Sequence, residues 1–176
     1  MENRFIMTAF GKDRPGIVAD VTRILFENGC NLEDNTMTLL ADEFTLVLLF
    51  SSQQQDVEEE LLKECRRLER EKGISAFIRP LDKRRDVSAG GSLNYTLHVE
   101  GMDQAGIVYK VSQFLSDNGV NILDLNSKVM AAPGSGTPLY IMDIDIRMPT
   151  GLSADKLDEG LSSVADELNV DITIAR

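Results

Sequence analysis

The spacing of apolar positions changes period in a fixed order along this chain. Residues 4–10, RFIMTAF, form a short apolar run with the character of a strand, which stops at Gly11. Ile17, Val18, Val21, Ile24 and Leu25 then recur on one face of a helix. That helix is expected to start near Pro15 and to end at Asn28-Gly29, residues that tolerate a left-handed stop. Two strands are expected next, over about 31–41 and 44–51, turned at Asp42-Glu43. Val57, Leu61, Leu62, Cys65 and Leu68 predict a second helix from Asp56 to Lys72, with acids in its first turn and Arg70 and Lys72 in its last. A short strand over 74–78, ISAFI, closes the series.

The same succession then begins again. Gly11 to Asn31 reads GKDRPGIVADVTRILFENGCN, and Gly101 to Asn121 reads GMDQAGIVYKVSQFLSDNGVN. Between residues 11–35 and 101–125, eleven of twenty-five positions are identical. Ile107, Val108, Val111, Phe114 and Leu115 predict a helix closed by Asn118-Gly119. Strands over about 121–131 and 139–147, a helix from Ser153 to Leu168 carrying Leu157, Leu161, Val164 and Leu168, and a last strand over 170–174 follow. Strand, helix, strand, strand, helix, strand, twice over, is an α+β pattern: two ferredoxin-like βαββαβ domains, each an antiparallel sheet with two helices on one face. The domains are expected over 1–82 and 92–176, with 83–91, around DKRRDVSAGGS, as a solvated linker. Each domain alone is small enough to be marginal, so packing together or homodimerisation is expected.

Charge narrows the partners. The net charge of −11 divides into 13 basic against 17 acidic residues (−4) over 1–90, and 5 against 12 (−7) over 91–176. The dense positive run, Lys83, Arg84, Arg85, falls in the linker, and neither half offers the basic footprint that direct nucleic-acid binding requires. Cys30 and Cys65 stand far apart without CxxC spacing, which predicts neither a disulfide framework nor a zinc site and suits a reducing cytoplasm. No apolar run approaches the roughly 20 residues of a membrane span, so a soluble intracellular protein without a membrane partner is expected.

The loop that opens each first helix carries the chemistry. Both copies read G-x-D-x-x-G-[IV]-V, followed by an amphipathic helix ending N-G and a strand starting N-[IL], inside βαββαβ. In this the chain resembles the ACT-domain family, small regulatory modules that bind amino acids, and the resemblance covers nearly its whole length. A free amino acid needs backbone N–H donors for its carboxylate and acceptors for its ammonium. Gly16 and Gly106 fall in the first helical turn, where glycine costs about 1 kcal/mol relative to alanine and permits close backbone approach. The candidate ligand-binding residues are Gly11, Asp13, Gly16, Ile17 and Asn31, with Gly101, Asp103, Gly106, Ile107 and Asn121 in the repeat. In the family the ligand commonly lies at an interface between two ACT domains against this loop, so the resemblance implies shared pockets. Two readings stay open beside it: the aspartates as helix-start acceptors, and the glycines as small residues that let helix and strand pack closely. Asn28, Gly29, Asn118 and Gly119 read as caps.

Catalysis finds little support. His98, the one histidine, alternates away from Tyr95, Leu97 and Val99 onto the sheet face opposite the helices, and no nucleophile–base pair assembles around it. Asp143 and Asp145 share a strand face without further ligands for a cation. AAPGSGTP, 131–138, lacks the Gly-Lys-Ser/Thr of a phosphate loop and reads as a hairpin extension. No catalytic residue, metal ligand or cofactor is assigned. The expectation is a non-enzymatic regulator that responds to an amino acid and changes its affinity for a regulatory protein partner. An assembly module without ligand and a detached regulatory subunit of an amino-acid biosynthetic enzyme are the alternatives.

A difference between the copies completes the expectations. Alternation assigns Phe5, Met7, Ala9, Val47 and Leu49 to the helix-facing side in copy one, leaving Ile6, Phe10, Leu46, Leu48, Phe50 and Phe77 as an apolar outer face. Copy two has Thr96, Glu100, Ile141, Asp143, Asp145 and Thr173 at the matching positions. The apolar outer face is therefore expected to be covered, either within the chain or by a second subunit.

Overall fold

The computed structural model describes residues 3–81 and 93–175, which form two compact units, one on each side of residues 82–92. The expected linker at 83–91, with its basic run, lies outside the described residues. In the first unit, strand β1 (Asn3–Lys12) leads to helix α1 (Ile17–Glu27), the strands β2 (Asn31–Leu40) and β3 (Glu43–Ser52), helix α2 (Val57–Lys72) and strand β4 (Ser75–Pro80). The second unit repeats the order with β5 (Asn94–Met102), α3 (Ile107–Asp117), β6 (Asn121–Ala131), β7 (Pro138–Arg147), α4 (Ala154–Leu168) and β8 (Val170–Ala175). Strand order is β2-β3-β1-β4 and β6-β7-β5-β8, antiparallel throughout. These are two ferredoxin-like βαββαβ units.

Each helix stops where the sequence anticipates it. The Asn28 side chain donates to the carbonyl of Ile24 at 2.8 Å and Gly29 turns left-handed at φ 63°. Asn118 and Gly119 repeat the device, with Asn118 donating to Phe114 at 2.8 Å and Gly119 at φ 68°. Helix α2 ends at Gly73, φ 66°.

The core of the first unit lies between its helices and one sheet face, and here the expected sides of β3 are corrected. Cross-strand pairs Phe5↔Phe50, Met7↔Leu48 and Ala9↔Leu46 put those residues on the same side, and directly opposed residues in an antiparallel ladder share a face. Phe44, Leu46, Leu48 and Phe50 are therefore core, whereas Val47 and Leu49 face outward with Ile6, Phe10 and Phe77. The segment FTLVLLF is apolar at both parities, so alternation alone leaves its side undetermined, and register with β1 decides it. Leu62 and Val18 are also corrected: 38% and 39% exposed, they sit one position off the faces formed by Val57, Leu61, Cys65 and Leu68, and by Ile17, Val21, Ile24 and Leu25. Val164 packs at the margin of the second core, where Ala165 is the buried residue.

In the second unit the expected outward set holds. Leu97, Val99, Met142, Ile144 and Ile146 are buried under α3 and α4, and Thr96, His98, Glu100, Asp143 and Asp145 occupy the opposite face.

Candidate functional site

The loop between the first strand and first helix is built the same way in both units. Asp13 donates its backbone N–H to the carbonyl of Asp42 at 2.8 Å, tying the loop to the β2–β3 turn, where Ala41 adopts φ 52°. Asp103 does likewise to Pro138 at 3.3 Å, at the base of the longer β6–β7 hairpin. Gly16 and Gly106 precede their helices as N-cap residues instead of lying in the first turn, and both are left-handed, with φ 87° and 97°. Their carbonyls take the N–H of Asp20 and Lys110, each at 2.9 Å.

Those torsions account for the glycines. A Cβ added at either position meets nothing within 4 Å, so close helix–strand packing is not the reason for glycine there. A left-handed turn without a Cβ penalty is. No side chain accepts from the first turn of α1 or α3. The aspartates are thus not helix-start acceptors; in α1 the Ile17 N–H already donates to the Arg14 carbonyl at 3.3 Å, and the amides that follow it in the first turn keep the capacity to bind an anion. Asp13 and Asp103 are exposed beside them.

The remaining candidates separate. Ile17 and Ile107 are 3% and 2% exposed, their side chains wholly in the two cores. A Cβ on Gly101 would fall 2.5 Å from Val170 Cγ1, so packing across the β5–β8 pair requires that glycine. At Gly11 the nearest obstacle would be the Gly73 carbonyl at 3.0 Å. Asn31 pairs with Ser51 and Gly11 with Phe44, seven residues apart along β3. At about 3.4 Å per residue, Asn31 lies at the far end of the sheet from the loop of its own domain, roughly 24 Å away. Asn121, opposite Arg147, stands in the same relation to Gly101, opposite Tyr140.

One group of residues beside the first loop was not anticipated. Arg14 donates to Asp20 Oδ2 at 2.6 Å, Arg23 approaches Oδ1 at 2.6 Å, and Lys72 stands 4.0 Å from it. The Arg14 hydrogen bond, helped by the charges of Lys72, Arg14 and Arg23, holds the Asp20 carboxyl below the ordinary aspartate range. In the second unit Gln104 donates instead to the Leu168 carbonyl, and Lys110 pairs with Glu167. The signal lay among the repeat's non-identical positions, Arg14/Gln104 and Asp20/Lys110: one loop is pinned to its helix by charge, the other to the far helix by an amide. A cleft of about 120 Å³ between α1 and α2 is lined by Asp20, Arg23, Arg67 and Lys72 among others.

Comparison with known proteins bears on the family and the fold. The ACT domain family model matches residues 3–79. A UPF0237 protein of Methanopyrus kandleri is 35% identical over 80 residues, which is 45% of this chain and 89% of that protein. The chain belongs to the ACT-domain family. The glycine cleavage system transcriptional repressor of Escherichia coli is 24% identical over 170 residues, spanning 96% of this chain and 87% of that protein. The crystal structure of an unknown protein from Galdieria sulphuraria superposes with a TM-score of 0.80 at 28% identity, covering 99% of this chain and 98% of that one. The second unit, by its repeat and identical strand order, makes this a tandem ACT protein.

Among the described residues no group of three or more His, Cys, Asp and Glu side chains is placed to hold a metal ion. No helix there is long and apolar enough to cross a membrane.

Proposed function

We propose that this protein is a non-enzymatic regulator that senses a free amino acid at an ACT-domain interface and acts by altering its affinity for a partner protein. The observation that carries the reading is the pair of loops in which a left-handed glycine opens a helix without a side-chain cap, with an exposed aspartate three residues before it. The uncapped amides suit an α-carboxylate, and Asp13 or Asp103 suits an α-ammonium. Gly16 and Gly106 contribute backbone geometry; Ile17 and Ile107 contribute main chain alone. Asn31 and Asn121 join such a site only when another ACT domain presents them. The chain is proposed to work as a homodimer in the cytoplasm, and ligand binding favours one arrangement of its domains.

The relation to a transcriptional repressor supports a role in gene control exerted through protein contact. With a net charge of −11, the chain is expected to give nothing beyond weak, salt-sensitive retardation in gel shifts with DNA at physiological salt. A thermal-shift screen of the twenty amino acids tests the sensing itself. A ligand at about a hundred times its dissociation constant adds about 2.7 kcal/mol of stability. No shift with any of them would leave an assembly module as the better reading.

A further inference from the structure

The outer face of the first sheet is arranged in rows across its strands. One row runs Asp34, Leu49, Ile6, Arg79 from β2 to β4, and the next runs Thr36, Val47, Thr8, Phe77. An acid therefore stands at one edge and a base at the other, with two aliphatic side chains between them. Phe77 is 64% exposed and stacks on Phe10, ring centroids 6.0 Å apart, which makes a ridge on the β4 side. A groove of about 450 Å³ reaches across the face from Asp34, Asn35 and Thr36 on β2, past Val47 and Leu49 on β3, to Ile6 on β1 and Leu81 just after β4.

We infer that this face is the surface on which two copies of the chain dimerise, packed face to face about a two-fold axis parallel to the strands. Such an axis exchanges the left and right edges of the sheet while keeping each row in place. Asp34 of one subunit then meets Arg79 of the other, twice, and each Phe77 descends on the groove wall at Thr36 and Val47. Leu49 lies over Ile6. Aligned sheets pack about 10 Å apart and rotated by about 30°, which these side chains span. An isologous interface needs one patch that is its own complement, and this row supplies it in charge and in shape.

The second domain provides the internal contrast. Its equivalent rows read Asp124, Asp145, Thr96, Ala175 and Asn126, Asp143, His98, Thr173. The same two-fold would there set Asp124 against Ala175 with no cation in that row, and Asp143 against His98 in the next, so the second face lacks the apolar centre that Leu49 and Ile6 give the first. Four strands about 4.8 Å apart and four rows about 6.8 Å apart give a footprint of roughly 500 Å² per subunit. That size corresponds to a weak, concentration-dependent dimer.

The inference rests on the dimeric part of the reading above and is independent of amino-acid binding. Sedimentation velocity from micromolar to near-millimolar concentration tests it, with circular dichroism confirming the fold of each variant. Arg79→Asp and Asp34→Arg are each expected to weaken self-association at least about tenfold, since each places like charges together at both ends of the row. Their combination restores the pairing with its sign reversed, so the double variant is expected to return to within about threefold of the parent. Phe77→Asp is expected to yield a monomer. A parent that stays monomeric throughout would overturn both dimer and surface. A parent that dimerises while every single variant dimerises equally would keep the dimer and overturn the surface. A double variant no tighter than the weaker single would overturn the two-fold arrangement.

Discussion

The imidazole Nδ1 of His98 lies 2.6 Å from Oδ1 of Asp143, across the strand pair where the first domain sets Thr8 against Val47. Glu100 approaches the other ring nitrogen at 3.5 Å. The same scaffold position is thus an ionisable pair in one domain and an uncharged Thr–Val pair in the other.

The Asp143 hydrogen bond raises the His98 pKa above its ordinary value of 6.5 against the opposing effect of burial, and Glu100 adds to the rise. A raised folded-state value stabilises the domain fully below about pH 6.5, and that contribution is lost as pH climbs through the folded value. The melting temperature of the parent should exceed that of His98→Gln most in mildly acidic buffer, with the two converging above neutrality. An NMR titration of His98 should move to lower pH in Asp143→Asn; an unchanged midpoint would show that the hydrogen bond is not the cause.

Gly101→Ala should destabilise the second domain by about 1–3 kcal/mol, the usual cost of overpacking. The added Cβ meets Val170 Cγ1 at 2.5 Å. Adding Val170→Ala should recover part of the loss in urea unfolding, since it removes Cγ1 but leaves the Val170 Cβ at 2.9 Å. If it does not, the packing explanation for this glycine fails.

At Gly16 and Gly106 the penalty is conformational. Positive φ with open space around it predicts that Gly→Asn is tolerated better than Gly→Ala, and Gly→Val worst, by about 1–2 kcal/mol between the extremes. Binding by calorimetry of whichever amino acid the thermal screen identifies should weaken in the same order. Full stability with Gly16→Val would contradict the left-handed turn.

Cys65 is buried, and desolvation, with the nearby Glu64 charge, pushes its thiol up to about 11. Cys30, half-buried, is also raised by burial. Ellman's reagent at neutral pH should therefore leave Cys65 unmodified in the native protein and titrate it only on unfolding, because the thiolate is the reactive form. Rapid native modification of Cys65 would show that α2 opens readily.

The succession of elements, the caps and the repeat were legible in the sequence because each depends on neighbours a few residues away. Ile17, Val21, Ile24 and Leu25 announce their helix by spacing alone, and Asn28-Gly29 its end. The loop was legible as a motif, yet the reason for Gly16 was not, since φ 87° follows from how the chain must turn between a strand and the helix above it. Gly101 looked like its partner in that motif until Val170, sixty-nine residues away, came to lie against it.

Which side of β3 enters the core was decided by tertiary structure. FTLVLLF carries apolar residues at both parities, so hydrophobic burial favours either side about equally, and only hydrogen-bonded register with β1 chooses Leu46, Leu48 and Phe50 over Val47 and Leu49. That this strand has two apolar faces and its counterpart one is written in the residues themselves, because it depends on composition along a single strand. What stands opposite what, whether Asp34 with Arg79 in one row or His98 beside Asp143, depends on pairings between distant segments, and those exist only once the sheet has formed.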